Sequence, residues 1–174
     1  LKVYIASSFD LIDLVDEYAG ILEANGHEIT VKWWDHVYES EGGAKAPELK
    51  EKYDSYSWDQ FMDCPEVAET FSRDFEGVKT AGAFLFVADP YIPKKYNGAT
   101  AEYGIAVSND IPCMLLGQLE TSCLFKRLNK LESIYEVVRI LNALDDVHAF
   151  LLGEKSAEDA AESLIGAFGG KKIE

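Results

Sequence analysis

The chain opens on Lys2-Val3-Tyr4-Ile5-Ala6, a β-branched and aromatic run. It passes through Ser7-Ser8-Phe9-Asp10 into a helical pattern, and a second β-rich run begins at His27. That succession constrains the fold from its first residues, because two strands joined through a helix pair in parallel with a right-handed crossover. Asp10 is placed to cap the first helix, with Asp13 in its first turn. Leu11, Leu14, Val15, Tyr18, Ile21 and Leu22 trace one helical face that ends at Asn25-Gly26. His27 to Trp34 alternates and is read as the second strand.

The alternation continues down the chain. Asp35 to Pro47 is polar with a Gly42-Gly43 pair and reads as an exposed loop; a short helix is expected from Pro47 to Tyr53. Tyr56, Trp58 and Phe61 supply rings that suit either stacking on a nucleobase or covering the core edge. Asp63-Cys64-Pro65-Glu66 marks a helix start with Asp63 as its cap, and that helix sets Val67, Phe71, Phe75 and Val78 on one face. Residues 83–88 form the third strand, 111–117 the fourth and 123–131 a weaker fifth. Ser133 to Glu136 is a capping box opening a helix through Leu144. Ser156 opens a last helix to about Phe168, ahead of a polar tail from Gly169 to Glu174.

Five strands alternating with helices predict an α/β protein: a single domain over residues 1–174, doubly wound around a mostly parallel five-stranded sheet of flavodoxin or Rossmann-like type. The expected strand order is 2-1-3-4-5, with the ligand site outside the carboxyl ends of the strands.

Charge and composition exclude several classes. With 31 acids against 16 bases the net charge is −15, which repels nucleic-acid polymers and anionic membranes and leaves small molecules as expected partners. No apolar run approaches the roughly 20 residues that cross a bilayer, and no basic-then-apolar leader pattern appears at the N-terminus. Cys64, Cys113 and Cys123 are unclustered, and His27, His36 and His148 are scattered, so neither a disulfide scaffold nor a metal site is expected. A reducing, cytoplasmic setting follows. There is no GxGxxG after the first strand and no P-loop, and no cofactor is expected.

The candidate site centres on Tyr96-Asn97-Gly98-Ala99-Thr100-Ala101-Glu102-Tyr103-Gly104-Ile105-Ala106. One acid stands amid small residues where the third strand gives way to a helix expected to start near Thr100. Glu102 then falls in a first helical turn, where unpaired N–H groups and the helix dipole keep a carboxylate ionised unless burial opposes them. A glutamate there can serve helix stability alone; the small residues around it leave the room a ligand needs. An ionised carboxylate at a strand mouth is a candidate nucleophile. Asp89 to Tyr96, with two prolines, reads as a rigid loop overhanging the site.

Three pieces of the sequence resemble the nucleoside 2-deoxyribosyltransferases and the related nucleoside-monophosphate N-glycosidases. They are Val3 to Phe9, Arg73-Asp74-Phe75 followed by Ala81-Gly82-Ala83, and Gly98 to Ala106, which is similar to a Gly-x-x-x-Glu-x-Gly-x-Ala signature. The resemblance implies that Glu102 attacks the anomeric carbon of a 2'-deoxyribosyl group with net retention. It implies that Asp74 protonates or orients the departing base and that Tyr4 positions Glu102 through its hydroxyl. By the same resemblance Ser7, Ser8, Phe9, Asp10, Tyr96, Asn97 and Gly98 surround the substrate, a nucleoside and a free nucleobase are the partners, and the protein is a homo-oligomer, at least a dimer. Tyr96 replaces an acid that many transferases of the family carry six residues before the nucleophile. Asp10 disfavours a 5'-phosphate, so a free nucleoside is preferred to a monophosphate. Hydrolysis of the N-glycosidic bond and a non-catalytic nucleoside-binding module are the competing readings.

Overall fold

The computed structural model describes residues 1–35, 55–57, 59–60, 63–92, 96–119 and 128–168. The expected helix at 47–53, Trp58, Phe61, the first residues of the expected fifth strand and the C-terminal tail lie outside them. Strands β1 (Lys2–Ala6), β2 (Glu28–Ile29), β3 (Ala83–Val87), β4 (Cys113–Leu116) and β5 (Leu128–Leu131) form one sheet in the order β2-β1-β3-β4-β5. All neighbours are parallel, with Val3 beside both Ile29 and Ala83, Phe84 beside Cys113, and Cys113 beside Leu128. The sheet is thus parallel throughout, where a mostly parallel one was expected.

Five α-helices cover it among the described residues: α1 (Ile12–Ala24), α2 (Pro65–Lys79), α3 (Asn97–Ser108), α4 (Ile134–Leu151) and α5 (Ala157–Phe168). Alternate strand residues feed two separate cores. Val3, Ile5, Leu85, Val87 and Met114 pack on α1 and α4, while Tyr4, Ala6, Phe84, Phe86 and Leu115 pack on the α2 and α3 side. Because β3 is buried along its whole length on both faces, it has no polar residue. Each of its large side chains contributes roughly 1.5–3 kcal/mol by leaving water. No helix among the described residues is long and apolar enough to cross a membrane.

Several boundaries differ from the sequence expectation, each for a local reason. Strand β2 is two residues long rather than reaching Trp34. Its backbone pairing ends with the Thr30 N–H donating to Val3 O at 3.0 Å, and the Trp33 indole N–H takes the next carbonyl on that edge, Ile5 O, at 2.8 Å. Trp34 turns instead to Asp16 Oδ1, at 2.9 Å. The first helix is preceded by a 3-10 turn, Phe9–Leu11, so Asp10 lies exposed inside that turn rather than capping α1. The buried seam of α1 is Ile12, Val15, Ala19 and Leu22, and Leu14, Tyr18 and Ile21 flank it. Cys64, not Asp63, is the N-cap of α2, with Pro65 in the first turn. Phe71 stands 64% exposed, stacked on Phe75.

Helix α4 keeps its Ser133 cap, whose Oγ accepts the Glu136 N–H at 3.3 Å, but runs on to Leu151. It then doubles back into α5, where Asp146 is clasped by Lys155 Nζ at 2.5 Å and by the Ser163 hydroxyl.

Candidate active site

The carboxyl ends of β1, β3 and β4 deliver the loops that carry the candidate residues. Tyr4 lies on β1 with its ring stacked on Phe84 of β3, centroids 5.9 Å apart. Gly77 of α2 covers another edge of the same ring; a Cβ there would stand 3.2 Å from Tyr4 Cε2 and would collide with the Val31 side chain. The missing side chain lets α2 settle against β1, and Asp74, one turn earlier on α2, comes with it.

Helix α3 begins at Asn97, one turn before the expected start, and no acid lies in its first turn. Glu102 sits in the second turn, which removes the helix-end stabilisation its charge was expected to receive. Its side chain instead reaches the sheet, where Tyr4 Oη donates to Glu102 Oε1 at 2.9 Å. Loss of solvent pushes the Glu102 carboxyl up to about 7; the Tyr4 hydrogen bond opposes this, and the negative charge of Asp74 adds to it. Burial, the condition attached to the sequence expectation, decides the outcome. The Tyr4 phenol is driven far upward by its own burial, then by Glu102 and Asp74, and so stays a neutral donor. Tyr4, Glu102 and Asp74, from β1, α3 and α2, therefore form one electrostatically coupled group.

Asp74 is held by its neighbour. Arg73 donates through Nε at 3.0 Å and Nη2 at 2.9 Å, both to Asp74 Oδ1. Arg73 was noticed in the sequence only as part of a motif; its place directly before Asp74 was the available signal.

The other candidate residues divide by position. The Ser7 hydroxyl donates to Val87 O at 2.8 Å and ties the β1 exit to β3, while Ser8 Oγ is buried with no hydrogen-bond partner among the described residues. Phe9 is 41% exposed and meets Trp33 edge-on. Asn97 and Gly98 are exposed at the start of α3. Tyr96 is buried, edge-on to Phe86, and its hydroxyl accepts the Asp89 N–H at 2.7 Å, which makes it a brace for the loop after β3.

That loop is pinned by residues the sequence did not single out. Asp89 Oδ1 accepts from the N–H groups of Tyr91 and Ile92, both at 2.9 Å. Gln118 donates its N–H to Asp89 O at 3.0 Å and its side-chain amide to Pro90 O at 2.8 Å. Gly117 precedes it with φ +96°, packed where any Cβ would overlap the Ala88 carbonyl. A glycine directly after an apolar strand was the one sequence signal for this arrangement. Among the described residues no group of three His, Cys, Asp or Glu side chains is arranged to hold a metal ion.

No protein-family model and no curated protein matches the chain. Among solved structures, the fold matches a 2-deoxyribosyltransferase from the psychrotolerant bacterium Bacillus psychrosaccharolyticus, with TM-score 0.52 and 19% sequence identity, over 79% of this chain and 90% of that one. At that identity the likeness is one of fold alone.

Proposed function

We propose that this protein transfers a 2'-deoxyribosyl group between nucleobases through a covalent glycosyl-enzyme on Glu102. The observation that carries the reading is the Tyr4 to Glu102 hydrogen bond at 2.9 Å on a carboxyl poised near 7, within the field of a second acid. A nucleophile must be ionised at working pH yet poorly solvated, and Glu102 meets both conditions at and above neutrality.

In the proposed reaction a Glu102 carboxylate oxygen bonds to C1' as the C1'–N bond breaks, its electron pair leaving with the base. An incoming base nitrogen then bonds to C1' and releases the carboxylate. Two displacements at one carbon give retention, as in retaining glycosidases. Asp74 attends the departing base, and Tyr4 holds Glu102 in line. A free nucleoside fits the β1 exit better than a monophosphate, since the Ser7 hydroxyl is committed to Val87 O and Asp10 brings negative charge.

The test is chromatography of the purified protein with each 2'-deoxynucleoside, with and without a different free base, beside Glu102→Ala. A new nucleoside formed only with the acceptor base and only by the unmutated protein supports transfer. Base release without exchange replaces transfer with hydrolysis. Binding without any product leaves a nucleoside-binding module.

A further inference from the structure

Helix α2 carries an apolar stripe that outruns the core beneath it. Val78 is fully buried in the same core as Tyr4, whereas Phe71, two turns nearer the N-terminus on the same face, is 64% exposed. The helix feeds β3, so it runs antiparallel to the strands and its N-terminal end lies at their carboxyl edge. Its 15 residues span about 22 Å, against about 16 Å for the five of β3. Only Thr80 to Gly82 separate the two elements, so the surplus length stands at the carboxyl edge, where the candidate site opens.

That overhang ends in a stack of rings. Phe71 and Phe75 lie one turn apart with centroids 5.9 Å apart and planes 28° from parallel, and Lys79 Nζ lies 5.1 Å from the Phe75 centroid a further turn on. Phe75 is thus held from both directions along the helix, and among the described residues it is the only ring that Phe71 meets. Asp74 is three residues from Phe71, on the same side of α2. Outside α4, α5 and the turn between them, the exposed large apolar side chains among the described residues are Phe9, Phe71, Tyr91 and Ile92, all at this edge of the sheet. Phe9 already meets Trp33, and Tyr91 and Ile92 stand on a loop, so the ring presented from a helix is Phe71.

A phenyl face offers its full area to another flat ring and only part of it to a branched aliphatic group. We propose that Phe71, backed by Phe75, is the surface on which the nucleobase stacks, and that it selects purines over pyrimidines. That the ligand is a nucleobase rests on the deoxyribosyl transfer reading; that it lies against Phe71 rests on the exposed end of the stack beside Asp74. A purine covers the phenyl face with two fused rings and a pyrimidine with one, so the purine removes more apolar area from water.

The experiment is titration calorimetry of free adenine and free cytosine, with no nucleoside present, into the unmutated protein, Phe71→Leu and Phe71→Tyr. Phe71 is exposed, so neither variant disturbs the core. The unmutated protein binds adenine about fivefold more tightly than cytosine. Phe71→Leu weakens adenine about tenfold and cytosine about threefold, while Phe71→Tyr, which keeps the ring, holds adenine within about twofold. Equal adenine affinity in the unmutated and Phe71→Leu proteins overturns the proposal, as does an unmutated protein that binds no adenine or binds it no better than cytosine. Sedimentation of the same samples covers the other occupant of an exposed ring: a Phe71→Leu protein that keeps its adenine affinity but becomes a smaller species assigns the ring to a contact between copies and overturns base stacking. The two readings fail separately. A protein that exchanges bases between nucleosides yet loses no adenine affinity in Phe71→Leu keeps the reaction and loses this proposal, and one that binds adenine through Phe71 without any transfer does the reverse.

Discussion

The Tyr4 hydroxyl donates to Glu102 Oε1 at 2.9 Å, joining residues 98 positions apart in sequence across the β1–α3 contact. This bond favours the ionised carboxylate and works against burial, which raises the same carboxyl. Tyr4→Phe removes the donor and leaves burial unopposed. If the proposed reaction on Glu102 holds, the rising limb of kcat/KM against pH lies near 7 in the unmutated protein and moves up by about one unit in this variant. Activity is then lost more at pH 6 than at pH 9. A limb that stays in place would show that the bond does not tune Glu102.

The raised Glu102 carboxyl also sets a pH dependence of stability. Between the ordinary value of 4.5 and about 7 the folded protein binds more protons at this group than the unfolded chain. Stability from this residue therefore falls as pH rises through that window and stays reduced above it. Glu102→Gln removes the penalty and is more stable than the unmutated protein at pH 8 by roughly 1–3 kcal/mol, with little difference at pH 4. Urea denaturation at the two pH values checks the sign.

Gly117 combines a φ of +96° with a backbone contact that leaves no room for a side chain. Gly117→Ala costs about 2–4 kcal/mol, since it adds left-handed strain to an overlap with the Ala88 carbonyl. Gln118→Ala, which removes only the side-chain bond to Pro90 O, costs about 1 kcal/mol. Thermal melts of the two variants should rank in that order.

Gly77 lies inside helix α2, where alanine ordinarily gains about 0.5–1 kcal/mol over glycine. Here the added methyl meets Val31 and stands 3.2 Å from the Tyr4 ring, so Gly77→Ala is destabilising by about 1–3 kcal/mol. Val31→Ala in the same chain opens the nearest contact and recovers part of that loss. A Gly77→Ala protein more stable than the unmutated one would refute the packing argument.

Asp10 is exposed in the turn after β1. If the substrate's 5' end lies there, Asp10→Asn removes about 1 kcal/mol of repulsion and raises kcat/KM for a nucleoside monophosphate about fivefold relative to the free nucleoside. An unchanged ratio places the 5' end elsewhere.

The alternation of strands and helices was legible because it rests on local signals, and the strand order was expected from the doubly wound class that this alternation implies. The β-rich run at Lys2–Ala6, the all-apolar Ala83–Val87 and the helical patterns between strands each follow from burial of a nearby stretch. Boundaries failed where another group competed for the backbone. The Trp33 indole takes a carbonyl that a longer β2 would have used, and Asn97, which reads as turn chemistry, starts α3 a turn early.

The sequence by itself determined that an α/β sheet would form and that Glu102, among small residues, would stand near the mouth of its third strand. Periodicity and turn chemistry act over a few residues, so those features are written locally. Tertiary structure alone decided that the Glu102 charge is penalised rather than favoured. Solvent exclusion and the charge of Asp74 outweigh the Tyr4 hydrogen bond, and both partners are far from Glu102 in the chain. Electrostatic energy depends on distance in space and on the water removed between groups, and neither quantity exists until the sheet and its two helix layers have packed.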